Sequence, residues 1–327
     1  MSDHRNFPGN GSDDNGSHWL MDAPSHFDYL NSYEEENTTG VHKDNKKESV
    51  EFAILMVNLV LSLCATLSNG AVLLASKFTS GGDTPALIYV RSFCVADCMI
   101  GVYGLMKVSF LLGQPQWINC FLSENILFSS LTASNLMLVN LSMNTLNHLI
   151  KPHKLYELMD KKTTITNMVF LWNGAFLMGF APQMGWHLRN SRCKFFAYFD
   201  VYYITLMTLV FLGCIGAASY LLVRVKNVLN AAKPETFQHR DLNRIQTVLS
   251  TCKLDLCSQF ISQFPMTIYM LLNCNVCALY GTNSHADLVL LFFIPPILIK
   301  SVVAAAIHGS RTTQIWQVSC ICNVVKQ

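Results

Sequence analysis

Apolar positions in this chain come in long blocks separated by short polar ones. Seven blocks, at about 51–77, 86–112, 121–150, 163–184, 199–228, 245–273 and 285–307, are each long enough to cross the roughly 30 Å of a bilayer's hydrocarbon core as an α-helix. The expected fold class is therefore all-α, a seven-transmembrane helix bundle. The third block departs from the pattern because Glu124, Asn125, Asn135, Asn140 and Asn144 interrupt it. A helix with polar groups on several faces is costly in lipid, so this one belongs inside the bundle. Glu124 and Asn144 lie twenty residues apart, roughly 30 Å along a helix, so the block reaches from one membrane surface to the other. Its polar groups read either as structural bonds to neighbouring helices or as a link between a site at one surface and the opposite face.

Composition agrees with a membrane protein: 51% of the 327 residues are hydrophobic and only 13% charged, against about a quarter charged in soluble proteins. The net charge of +2 is unevenly distributed. Residues 1–50 hold ten acids and four bases, leaving eleven acids and nineteen bases in the rest. That first segment has no hydrophobic periodicity and is expected to be a disordered acidic tail. It carries three glycosylation acceptors, at Asn10, Asn15 and Asn37. Bases gather at Lys151, Lys154, Lys161 and Lys162, and again at Arg224, Lys226, Lys233, Arg240 and Arg244, whereas 113–120 has no charge. The positive-inside rule then places the basic loops in the cytosol and the amino terminus outside, as the acceptor sites also imply. The expected organisation is an extracellular tail (1–50), a seven-span domain (51–308) and a cytoplasmic segment (309–327). The last begins with an amphipathic stretch, 310–318, followed by Cys320 and Cys322, which read as palmitoylation sites or as reduced thiols. Six other cysteines, Cys64, Cys94, Cys98, Cys214, Cys252 and Cys257, lie in apolar runs and read as small buried hydrophobes.

Local motifs narrow the class. Ser68-Asn69-Gly70 in the first block and Val95-Ala96-Asp97 in the second resemble the Gly-Asn and Leu-Ala-x-Ala-Asp of rhodopsin-like G-protein-coupled receptors, and Trp172 stands in the fourth block. Pro182-Gln183-Met184-Gly185-Trp186 resembles the Pro-Ile-Met-Gly-Trp of lysophospholipid (sphingosine-1-phosphate) receptors. Phe121-Leu122-Ser123-Glu124 resembles their Phe-Leu-Arg-Glu, and Leu131-Thr132-Ala133-Ser134 their Leu-Ser-Ala-Ser. The fifth block lacks the usual proline, as that branch does. The resemblance covers roughly residues 55–320.

Several expectations follow from that resemblance. Cys120 and Cys193 would form the usual rhodopsin-like disulfide, a departure from the lysophospholipid pattern, in which the second-loop bridge stays within the loop; Leu188 here replaces that loop's first cysteine. Cys274 and Cys277 resemble the third-loop pair, with redox or zinc chemistry as the other readings of Cys-x-x-Cys. The ligand site would lie around Glu124, Ser123, Lys107, Gln263 and Phe264. Ser123 stands where the lysophospholipid receptors place a phosphate-reading arginine, and Lys107 either replaces that charge or snorkels to the headgroups. At the other membrane surface, Asn144-Thr145-Leu146 replaces the Asp/Glu-Arg-Tyr triplet that faces the G protein, and Tyr220 remains as an inner tyrosine. Ser262-Gln263-Phe264-Pro265 keeps the proline of Cys-Trp-x-Pro without the tryptophan, and the seventh block has Pro295-Pro296 but no Asn-Pro-x-x-Tyr. Asn69, Asp97, Lys300 and Asp255 form the expected polar switch. Lys300 is expected to pair with Asp97 where the class commonly binds sodium, with Asp255 or snorkelling as the competing readings.

The function implied is a receptor for a lipid or other small amphipathic ligand, at the plasma membrane as a multi-pass protein, signalling through a heterotrimeric G protein by movement of the sixth helix. The alternative is a seven-helix protein that binds ligand or a partner without G-protein coupling. A transporter or membrane enzyme would need inverted repeats or a catalytic cluster of intramembrane His, Asp or Glu, and neither is visible. No catalytic residue, cofactor, metal or nucleic-acid partner is expected. His148 and His308 read as capping or interfacial residues.

Overall fold

The computed structural model describes residues 26–78, 84–112, 117–150, 161–184, 201–231, 239–277 and 286–311. Within them lie seven α-helices and no strand: α1 (His26–Lys77), α2 (Pro85–Leu112), α3 (Trp117–Ile150), α4 (Lys161–Phe180), α5 (Val201–Ala231), α6 (His239–Cys277) and α7 (Ala286–Arg311). A single 3-10 turn, Ala181–Met184, follows α4. The described part of each of the seven apolar blocks is helical. Five helices hold segments long and apolar enough to cross a membrane: Phe52–Lys77, Pro85–Ser109, Leu122–Asn147, Tyr202–Ala231 and Leu291–Ser310. The chain is a membrane protein built from α-helices.

Two compact units divide the chain, Met1–Val50 and Glu51–Gln327. Within the first, residues 26–50 are helical where the sequence pattern predicts disorder. The amphipathic stretch expected after the seventh block lies outside the described residues, apart from its start in the last residues of α7.

In the second unit α3 is the central helix, packing against α2, α4, α5 and α6. Its apolar segment is 67% buried, more than any of the other four, as the density of polar residues along it requires. Hydroxyls on the helices are satisfied locally: Ser62, Ser130, Ser142, Thr145 and Thr208 each donate to the carbonyl four residues earlier. Three prolines break that ladder, Pro265 in α6 and the adjacent Pro295 and Pro296 in α7. Pro295 cannot donate to Leu291 O, and Asn58 Nδ2 of α1 reaches that carbonyl at 3.4 Å instead. Pro265 likewise frees Ile261 O in the middle of α6. At the start of α2, Thr84 caps the helix through Leu87 N at 3.3 Å, with Pro85 in the first-turn position that needs no N–H.

Small residues set the closest helix approaches. A Cβ added at Gly101 would meet Thr66 N of α1 at 2.8 Å, and one at Gly179 would meet Ser129 N of α3 at 2.7 Å. Such approaches let dispersion contacts hold helices together where lipid supplies no hydrophobic drive. The outward faces are apolar, with Val60, Leu67, Phe170, Leu177, Leu209 and Ile261 all exposed. Cys64 and Cys257 are exposed too, contrary to the expectation of burial, because each lies on the outward side of its helix; Cys94 and Cys252 are buried.

The interior is layered. One apolar cluster joins Tyr103, Leu127, Phe128, Tyr203, Met266 and Ile297 near the Glu124 end of α3. A second joins Phe93, Met137, Leu138, Leu222, Leu249 and Cys252 toward the Asn144 end. Between them runs a belt of buried polar residues: Asn69, Asp97, Ser134, Asn135, Gln259, Gln263, Lys300 and Ser301.

Candidate functional site

The belt is centred on an ion pair. Lys300 Nζ of α7 lies 2.8 Å from Asp97 Oδ1 of α2, both side chains almost wholly buried. Ser301 Oγ donates to the same carboxylate oxygen at 3.0 Å, and Lys300 Nζ also donates to Ser134 Oγ of α3 at 3.2 Å. Gln259 Nε2 of α6 donates to Ser134 Oγ at 2.9 Å, and Asn69 Nδ2 of α1 to Ser301 O at 3.1 Å. Five helices thus meet at one charged centre. Of the partners weighed for Lys300, Asp97 is the one in contact. Snorkelling is not adopted, for Lys300 is buried.

Asp255 has a different partner. His308 Nε2 of α7 lies 3.4 Å from Asp255 Oδ2, both side chains buried, and the imidazole stacks on Phe93 at 5.2 Å between ring centres. The capping or interfacial reading of His308 is therefore corrected. Lys300, Ser301, Ala304, Ala305 and His308 repeat at helical spacing and form the buried stripe of α7, a period that would have turned His308 inward.

At the Glu124 end, Lys107 of α2 forms an ion pair with Glu124 of α3. The lysine is 16% exposed and the glutamate 2%, so Lys107 has turned to the carboxylate and away from the surface. Ser123 beside them is buried. One helical turn or more below, a cavity of about 40 Å³ lies between α3, α5 and α6, walled by Phe128, Leu131, Met207, Phe211, Met266 and Met270 and floored by Asn135 and Gln263. Asn135 Nδ2 donates to Gln263 Oε1 at 2.9 Å, one of the hydrogen bonds linking α3 to α6. Phe264, half-buried, stacks on Phe260 at 4.7 Å; the cavity wall excludes it.

The Asn144 end holds a network that motif comparison missed. Asn144 Nδ2 donates to Tyr89 OH of α2 and, at 2.8 Å, to Asn140 Oδ1, while Tyr89 OH donates to Asn140 Oδ1. Thr145 is buried and donates to Leu141 O at 2.8 Å. Leu146 is half-buried against the second apolar cluster, and Tyr220 is 63% exposed. The Asn140-x-x-x-Asn144 spacing places both amides on one helix face, and that repeat was the available signal.

Cys193, Cys320, Cys322, Asn10 and Asn15 lie outside the described residues, as do the side chains of Cys120, Cys274, Cys277 and Asn37 within their helices. Compared with known proteins, the chain matches no family model and no curated sequence.

Proposed function

We propose that this chain is a seven-helix receptor of the rhodopsin-like class, with α4 and α6 completing the set of spans, the Glu124 end outside and the Asn144 end in the cytosol. The observation that carries the reading is a cavity between three helices, floored by a polar pair that bonds α3 to α6, in which Asn135 is the neighbour in sequence of Ser134, a hydrogen-bond partner of Lys300 in the Asp97–Lys300 centre. A ligand in that cavity touches both partners of the α3–α6 bond, which is the differential contact that a shift of α6 about Pro265 would need. The resemblance of Pro182-Gln183-Met184 and of Phe121–Glu124 to lysophospholipid receptors supports a lipid-like or small amphipathic ligand. The basic loops support an acidic cytoplasmic partner such as a heterotrimeric G protein. Disulfides Cys120–Cys193 and Cys274–Cys277, glycans on Asn10, Asn15 and Asn37, and acyl groups on Cys320 and Cys322 belong to this reading, as does the plasma membrane.

A second reading, binding without G-protein coupling, is favoured by the other end of α3. There Asn144 is engaged with Tyr89 and Asn140, and Thr145 with its own helix, where the resembled class presents an arginine. The test is nucleotide exchange on G proteins in cells lacking other receptors. The first reading expects exchange above that of empty cells, weak because the arginine is missing. Surface expression with exchange at the empty-cell level for every G-protein class would leave the second reading in its place.

A further inference from the structure

The chemistry of the cavity says what kind of head group it takes. Among the described residues that line it, none is charged. Buried ionisable groups of the surrounding helices already have partners within the protein: Lys107 with Glu124, Lys300 with Asp97, and Asp255 with His308. An ionic head group entering here would give up its hydration and find no charge awaiting it, which is strongly unfavourable.

What the cavity does offer is half of an amide pair. The Asn135–Gln263 bond uses one donor and one acceptor. Asn135 Oδ1 and Gln263 Nε2 remain, both buried and without a hydrogen-bond partner among the protein's groups. Buried amide atoms left unpaired are costly, and these two belong to residues that both line the one cavity, where a ligand that reached them would satisfy both. An acceptor beside a donor is the complement of a group that itself carries a donor beside an acceptor. Thr208 and Thr267 donate to Ile204 O and Gln263 O, each at 2.8 Å, so toward the cavity they offer only lone pairs. They too favour a donor on the ligand. The space of about 40 Å³ suits a head group, and the flexible methionines Met207, Met266 and Met270 can yield to an apolar body.

We infer that the ligand of this cavity is a neutral amphipathic molecule whose uncharged carboxamide bonds Asn135 Oδ1 and Gln263 Nε2 while its apolar body lies among the α3, α5 and α6 side chains. This rests on the receptor reading above and departs from the phosphate head group that the resemblance implies.

The experiment uses the full chain in nanodiscs of neutral phospholipid and four single-chain lipids with one hydrocarbon tail, ending in a primary carboxamide, a carboxylate, a primary ammonium or a phosphate. Saturable binding of the tritiated carboxamide is measured directly and then competed with the other three. The carboxamide is expected to bind, and the ionic lipids to compete at least roughly tenfold more weakly, as losing hydrogen bonds to buried partners implies. Asn135→Leu and Gln263→Leu should each weaken the carboxamide by about tenfold or more, whereas Leu209→Ala, on the exposed face of α5, should leave it unchanged. Gln263→Glu, of nearly the same size, should move the preference toward the ammonium lipid, a change that general loss of folding does not produce. If an ionic lipid binds as tightly as the carboxamide and is lost in the Asn135 and Gln263 variants, the amide assignment is overturned and the lipid-receptor reading stands. If none of the four binds saturably, the lipid pocket falls as well.

Discussion

Removing one charge from the Asp97–Lys300 pair should unsettle the bundle far more than removing both. At 2.8 Å and an effective dielectric constant of about 20, the attraction between the two is about 6 kcal/mol. Neither side chain is exposed enough for solvent to screen it. Asp97→Asn leaves an ammonium with Ser134 Oγ and an amide oxygen for company; Lys300→Met leaves a carboxylate with Ser301 Oγ. Each stranded charge should cost about 3–5 kcal/mol, the usual penalty for breaking a buried pair from one side. The double variant strands nothing and loses hydrogen bonds worth about 1–2 kcal/mol in all. The coupling energy is therefore expected to exceed about 4 kcal/mol, which a double-mutant cycle on thermal unfolding in nanodiscs measures directly. Sodium should make no difference to the native protein, since Lys300 already supplies the positive charge beside Asp97. Additive losses in the cycle, or a clear rise in unfolding temperature with sodium over potassium, would refute the reasoning.

Gly179→Ala should destabilise the bundle by about 1–3 kcal/mol, because the new methyl meets backbone atoms of α3 that cannot step aside, while Gly174→Ala, with open space around it, should be neutral in the same thermal assay. His308→Phe keeps a ring against Phe93 and deletes the imidazole beside Asp255; a loss of about 1–3 kcal/mol is expected, and it should shrink when Asp255→Asn is added. Glu124→Gln keeps the shape of the side chain and leaves Lys107 without its carboxylate, so surface expression should fall, and Lys107→Met in the same chain should restore part of it. Tyr89→Phe removes the hydroxyl shared by Asn140 and Asn144 and should cost about 0.6 kcal/mol, the average for hydrogen bonds between membrane helices.

The helices were legible because long apolar blocks have few alternatives in a membrane protein, and the centrality of α3 because Glu124, Asn135 and Asn144 have nowhere to go but inward. The partner of Lys300 was legible as a short set of candidates, since few charges share its depth. Choosing among them required helix rotation, which spacing along one chain does not give. Lys107 shows the same limit: a lysine near a helix end reads equally as snorkelling or as pairing until the facing helix is placed. The contacts that motif comparison passed over, Gln259 to Ser134 and Asn144 to Tyr89, join polar residues common to many helices. Their meaning lies in the facing residue.

The belt does not hold every helix equally. Asp97, Lys300, Ser301 and Asn69 tie α1, α2 and α7 to one another, with Ser134 adding α3. Polar links from α6 to its neighbours include Gln259 to Ser134, Asn135 to Gln263, and His308 to Asp255. In the proposed movement of α6 about Pro265 these are the contacts that break, while the ion pair at the centre stays whole. At about 0.6 to 1.3 kcal/mol for each polar contact between membrane helices, freeing α6 from these three costs about 2–4 kcal/mol. A state raised by that much is populated at about 0.1–3%, within the range from which a ligand can select. A ligand whose amide bonds Asn135 Oδ1 and Gln263 Nε2 uses the atoms that the Asn135–Gln263 link leaves spare and would go on bridging α3 and α6 once that link parts, so the remaining cost falls on the other two. Strengthening Gln259–Ser134 or Asp255–His308 would then lower basal activity without touching the cavity, and weakening either would raise it.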